Sequence, residues 1–124
     1  MPESDAFIPA PVKPAISVAD LDNIDIRVGT IESVEDIAAS DKLVRLRVDF
    51  GDHKRSILAG MKKERQDVKP ELEGRQALFV INLIPRKMAG EKSEGMLFDI
   101  GYADGLLPVL AVPEQAVPNG SRAG

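Results

Sequence analysis

Chemistry in this chain concentrates between Asn82 and Met96, in the run Asn82-Leu83-Ile84-Pro85-Arg86-Lys87-Met88-Ala89-Gly90-Glu91-Lys92-Ser93-Glu94-Gly95-Met96. Arg86, Lys87 and Lys92 supply cations, Ser93 a hydroxyl, and Gly90 and Gly95 allow a ligand close to the backbone. A flexible methionine adds an adaptable apolar contact. That mixture suits phosphate oxygens together with a base or a peptide side chain, although a simply solvated loop has the same composition. Asn82 interrupts the apolar run Leu78 to Ile84. A buried amide without partners costs roughly 1–3 kcal/mol. Asn82 therefore either ties down the following loop or emerges at a rim where it meets a ligand.

Covalent and acid–base chemistry finds little support. There is no cysteine, which removes disulfides, thiolate metal sites and thiol nucleophiles. The single histidine, His53, stands beside a predicted turn without companions for a metal. Glu91 and Glu94 are close in sequence, but their basic neighbours mark them as solvated surface rather than a catalytic pair. No glycine-rich phosphate loop, nucleophile elbow or zinc-helix motif occurs. The expectation is a non-enzymatic binding protein with no catalytic residue, no metal and no cofactor.

The charge is segregated along the chain. The whole carries −4, yet residues 1–41 carry −7, residues 42–92 carry +6 and residues 93–124 carry −3. A basic middle can present a local anion-binding face even in an acidic protein. Sequence-indifferent binding to nucleic acid needs a larger positive excess. Aromatic residues make up 4%, with Phe50, Phe79 and Phe98 in apolar strands and only Tyr102 and Phe7 free. Stacking a whole single strand requires more exposed rings. A recognised RNA would therefore be folded, read through backbone and shape, with at most one or two splayed bases.

Several elements must position this stretch. Residues 1–16 hold four of the nine prolines and read as an extended segment, either a loose or appended tail or an arm docking on a partner or on the protein's own groove. Residues 17–124 read as one domain. Ser17 caps a short helical turn at Val18-Ala19-Asp20-Leu21. Ile24, Ile26 and Val28 alternate with polar residues, and the apolar phase flips after Gly29, which predicts a bulge or sharp bend there. Leu46, Val48 and Phe50 form a second strand, Gly51-Asp52 a two-residue turn, and Ser56 to Ala59 the return strand. Lys62 to Gln66 favours a helical turn, with Pro70 opening another piece at Glu71-Leu72. Gln76 to Ile84 reads as a strand buried on both faces, Pro85 to Lys92 as a loop hinged at Gly90, Met96 to Ile100 as a strand, and Leu106 to Val112 as an edge strand broken by Pro108. Val117 to Ser121 is a turn. Short strands with one helical insert and no βαβ alternation predict an all-β Greek-key barrel. No apolar run approaches the ~20 residues that cross a bilayer, and the opening Met1-Pro2-Glu3-Ser4-Asp5 is unlike a secretory signal, so a cytoplasmic location is expected.

Asp25-Ile26-Arg27-Val28-Gly29-Thr30-Ile31, Ser40-Asp41-Lys42-Leu43 and the Asn82–Met96 stretch resemble the tRNA-binding OB domain found alone or appended to methionyl- and phenylalanyl-tRNA synthetases. The likeness covers residues 22–124. It implies a five-stranded OB-fold barrel with terminal extensions, a homodimer built with the terminal segments, and binding to the outside corner of folded tRNA. Carried onto this chain, it nominates Asn82, Lys87, Ser93 and Met96 as contacts, with Lys42 and Arg86 as electrostatic support. Ala89 stands where that pattern usually has a basic residue. Arg86, Ala89-Gly90, Lys92-Ser93-Glu94 and Val117-Pro118-Asn119-Gly120 are more similar to the CsaA-type secretion chaperones. That likeness implies a dimer serving protein export, holding extended segments of unfolded precursor polypeptides.

Overall fold

A computed structural model describes residues 7–63 and 65–124. Ten strands form: β1 (Ile26–Asp36), β2 (Val44–Asp49), β3 (Lys54–Ala59), β4 (Gln76–Val80), β5 (Arg86–Met88), β6 (Glu91–Ser93), β7 (Met96–Leu97), β8 (Asp99–Ile100), β9 (Val109–Leu110) and β10 (Arg122–Ala123). Among the described residues, two short α-helices, α1 (Val18–Leu21) and α2 (Val68–Leu72), and a 3-10 turn at Tyr102–Asp104 accompany the strands.

The main sheet has the order β3-β2-β1-β4-β7, with β10 added beside β1. Strand β4 returns after a long connection to lie against β1, which is the Greek-key arrangement. The expected all-β OB barrel is therefore present. Strand β1 serves both halves of the curl: Ile26 to Thr30 pair with β4, and Thr30 to Asp36 pair with β2. The register shifts between Ile31 and Ser33, so the bulge lies at Glu32 rather than at Gly29. The extra residue lets Ile31 and Val34 both face the core although they are three apart. Gly29 is needed for closeness instead. A Cβ there would stand 2.5 Å from Val48 Cγ1 and 2.8 Å from Phe50 Cε1. The core beneath packs Ile31, Leu46, Val48, Phe50, Ile57, Leu72 and Phe79, all essentially inaccessible.

Local readings held where short-range chemistry decides. Ser17 caps α1 with a reciprocal bond to Asp20, and Gly51-Asp52 forms the β2–β3 turn with Phe50 N–H donating to the His53 carbonyl. Others shifted. The α-helical turn of the insert is α2, with Pro70 inside its first turn, rather than Lys62–Gln66, of which Glu64 lies outside the described residues. Strand β4 stops at Val80, leaving Leu83 and Ile84 exposed, because Ile81 N–H bonds to Asp25 and the chain turns away. The strand predicted over Met96–Ile100 splits at Phe98, which is 41% exposed rather than in the core. Of the proline-rich start, residues 1–6 lie outside the described residues, and residues 7–16 are exposed and form no helix or strand.

Candidate nucleic-acid interface

The predicted loop from Pro85 to Lys92 is a β-hairpin. Arg86 pairs with Ser93, Lys87 with Lys92 and Met88 with Glu91. Its two-residue turn is Ala89-Gly90, with φ of 51° and 78°. Those angles give the mirror-image turn that matches strand twist. Alternation then separates two faces. Lys87 and Lys92 are exposed and opposite each other. Met88, Glu91 and Ser93 point the other way, toward the barrel, and are at least partly buried.

Two anchors fix the hairpin. The Ser93 hydroxyl, 3% exposed, accepts from Leu58 N–H at 3.0 Å and donates to the Gly95 carbonyl at 2.9 Å. Glu94 continues the closure: its carboxylate accepts from Ser56 N–H at 2.9 Å, and its own N–H donates to the Ser56 carbonyl. Together they cover the edge of β3, sealing the barrel where β3 meets β7. The second anchor is Arg45 on β2, which binds Glu35 at 2.7 Å and also Glu91 on β6. Arg55 adds a clamp, donating to the carbonyls of Ile81 and Glu94 at 2.8 and 2.9 Å.

Beside the hairpin lies a groove of about 1250 Å³. The β1–β2 loop, the end of β3, the hairpin, β7 and the Tyr102 turn line it. Lys42, Arg86 and Met96 meet there, so three of the six residues nominated from sequence share one site. Lys42 is presented by a turn in which Ser40 Oγ accepts from Lys42 N–H and Leu43 N–H, while Lys62 Nζ holds the Ile37 and Ser40 carbonyls from beneath. Lys87 stands on the hairpin's outer face. Among the described residues, Lys42, Arg86, Lys87 and Lys92 form no ion pair.

Ser93 and Asn82 are placed otherwise. The Ser93 hydroxyl is committed within the chain, which makes it a support for the hairpin. Asn82 accepts from Asp25 N–H at 2.9 Å and donates to the Asn23 carbonyl at 2.7 Å. It thus ties the segment before β1 rather than the loop after itself. Glu91 and Glu94, expected as solvated surface, are structural partners. Met88, Phe98 and Tyr102 also line the groove, and Lys92 lies opposite Lys87 on the hairpin's outer face; the sequence reading names none of the four as a contact. The strand pairing across Ala89-Gly90 is the signal that would have found Lys92.

A Greek-key barrel of this topology, carrying a basic hairpin beside a groove on one rim, defines an OB-fold module. A sequence profile described as "Putative tRNA binding domain" matches residues 26–122, and the chain belongs to that family. It is 40% identical over 120 residues to a methionine–tRNA ligase of Porphyromonas gingivalis, across 97% of this chain and 17% of that protein. A methionine–tRNA ligase of Lactiplantibacillus plantarum is 39% identical over 110 residues, 88% of this chain and 16% of that one. The chain thus spans about a sixth of the length of these curated relatives. Among solved structures it is similar to a MetRS-related protein from Pyrococcus horikoshii, with TM-score 0.82 and 33% identity, covering 90% of this chain and 100% of that one. It is also similar to the chaperone CsaA of Bacillus anthracis, with TM-score 0.74 and 28% identity over 90% of this chain and 100% of that one. No helix among the described residues is long and apolar enough to cross a membrane.

Proposed function

We propose that this chain is a non-enzymatic, cytoplasmic protein that grips folded tRNA with the β5–β6 rim. The carrying observation is the facing pair Lys87 and Lys92. Like charges set directly opposite each other destabilise a sheet, so an anion between them relieves a cost that the free fold bears. Lys42 and Arg86 at the groove mouth extend the cationic surface, and Met96 supplies an apolar contact. Hydrogen bonds from Ser93 and Glu94 tie the rim to β3, which suits recognition of a preformed RNA shape. A gel shift of the purified protein with bulk tRNA at several salt concentrations tests the reading. Saturable binding that weakens with salt supports it; absent or salt-independent binding rejects it.

The chain works as a homodimer in this reading. Ile100 and Val109 are cross-strand partners on β8 and β9, both exposed, and Leu106 and Leu107 in the connecting loop are exposed too. A contiguous apolar surface of this kind marks a protein interface. Light scattering should give twice the chain mass, and a monomer with all four residues free would refute the assembly.

A second reading is favoured by the groove itself, whose walls are largely apolar and partly thioether. Such walls adapt to varied side chains, as holding extended segments of unfolded precursor polypeptides requires. Adding an unfolded peptide to the gel shift discriminates: displacement of tRNA means one shared site.

A further inference from the structure

Resting on the tRNA reading, we propose that the groove beside the hairpin seats one unstacked nucleobase, its ring against Met96, Phe98 and Tyr102 and its adjoining phosphate at Arg86 and Lys42. Three observations carry this. Met96, Phe98 and Tyr102 are 42%, 41% and 66% exposed, an unusual outlay of thioether and ring surface in a chain with five aromatic residues. All three line the same groove as Lys42 and Arg86, cations that form no ion pair among the described residues. Tyr102 is presented by a single 3-10 turn bounded by Gly101 and Gly105, both left-handed, and its N–H donates to Asp99 Oδ1 at 3.2 Å. The other Asp99 oxygen takes no hydrogen bond among the described residues, so it can accept from an exocyclic amino group, as carboxylates do with cytosine.

A base fits this site better than an extended peptide does. Peptides that add to a barrel usually pair with an open strand edge. Here the backbone of β3 is already engaged: Ser56 N–H and carbonyl bond to Glu94, and Leu58 N–H to Ser93. What remains open is side-chain surface suited to a flat ring, with cations at the mouth to hold a phosphate.

Tyr102 is the one tyrosine of a chain without tryptophan, so its emission reports on the groove directly. The experiment titrates the full chain with bulk tRNA and with a blunt RNA duplex of equal absorbance. The expected result is saturable quenching by tRNA, tracking the gel shift, and none beyond absorbance effects by the duplex. Tyr102→Ala and Met96→Ala should each weaken tRNA binding roughly 5- to 150-fold, the range for losing one stacked base. Their salt slope should stay unchanged, because no phosphate contact is removed. Both positions are exposed, and an unchanged urea midpoint verifies folding. A gel shift without quenching, or unchanged affinity in both variants, overturns the base seat and leaves the tRNA reading intact. No shift at all overturns both. Quenching by an unfolded peptide lacking tyrosine and tryptophan, without displacement of bound tRNA, assigns the groove to peptide and overturns the proposal.

Discussion

Lys87 and Lys92 stand side by side across the β5–β6 hairpin with no acidic partner for either among the described residues. Removing one charge should therefore have opposite effects on folding and on binding. Lys87→Ala or Lys92→Ala is expected to stabilise the free protein by about 0.2–1 kcal/mol, the scale of a cross-strand pair. Each should also weaken tRNA binding and lower the salt slope by about one unit. Urea titration and salt-dependent gel shifts read the two effects separately.

Ser93 should matter without touching a ligand. Ser93→Ala leaves Leu58 N–H unpaired in a buried site, a cost of about 1–3 kcal/mol. The urea midpoint should fall accordingly. Affinity should fall as the hairpin loosens, while the salt slope holds because the lysines remain.

Ala89 occupies a left-handed position with φ of 51°, which favours asparagine or glycine over alanine. Ala89→Asn should recover part of the roughly 1–2 kcal/mol that a left-handed L-residue costs and leave tRNA affinity unchanged. Ala89→Lys adds a cation at the tip and should steepen the salt slope by about 0.7–0.9. A slope unchanged by Ala89→Lys would place the tip away from phosphate.

Gly29 leaves no room for a side chain. Its added Cβ would press on the Val48 and Phe50 side chains, so Gly29→Ala should destabilise by about 1–3 kcal/mol through overpacking. Thermal unfolding checks this, and a tolerated alanine would mean that Phe50 can swing aside.

Acid should unfold the protein through its paired carboxylates. The Arg27 guanidinium, hydrogen-bonded to Asp25 at 2.9 and 3.1 Å, holds that carboxyl below its ordinary value of 3.8. Lys69, and then the Val34 N–H, hold Glu73 below 4.5. Both groups are depressed in the folded state, so the unfolded chain binds more protons between the two values. Their contribution is fully present above about pH 5 and is lost as pH falls through 4 and below. Glu73→Gln should flatten part of that acid slope in a denaturation series.

Much of the fold was legible because it depends on neighbours in sequence. Leu46, Val48 and Phe50 alternate, Gly51-Asp52 permits a tight turn, and Ser17 caps a helical turn; each is settled within a few residues. The cations from Arg86 to Lys92 were equally plain, as was the exclusion of cysteine chemistry. Tertiary structure alone decided what those residues face. Ser93 meets Leu58 across 35 positions and Asn82 meets Asn23 across 59. Periodicity carries no information about such distant partners. The same holds for the groove, which exists only because the closing barrel brings the β1–β2 loop, the hairpin and the Tyr102 turn to one rim. A residue's type sets which bonds it can form, but burial and the partner's position determine whether those bonds are left for a ligand or taken by the fold.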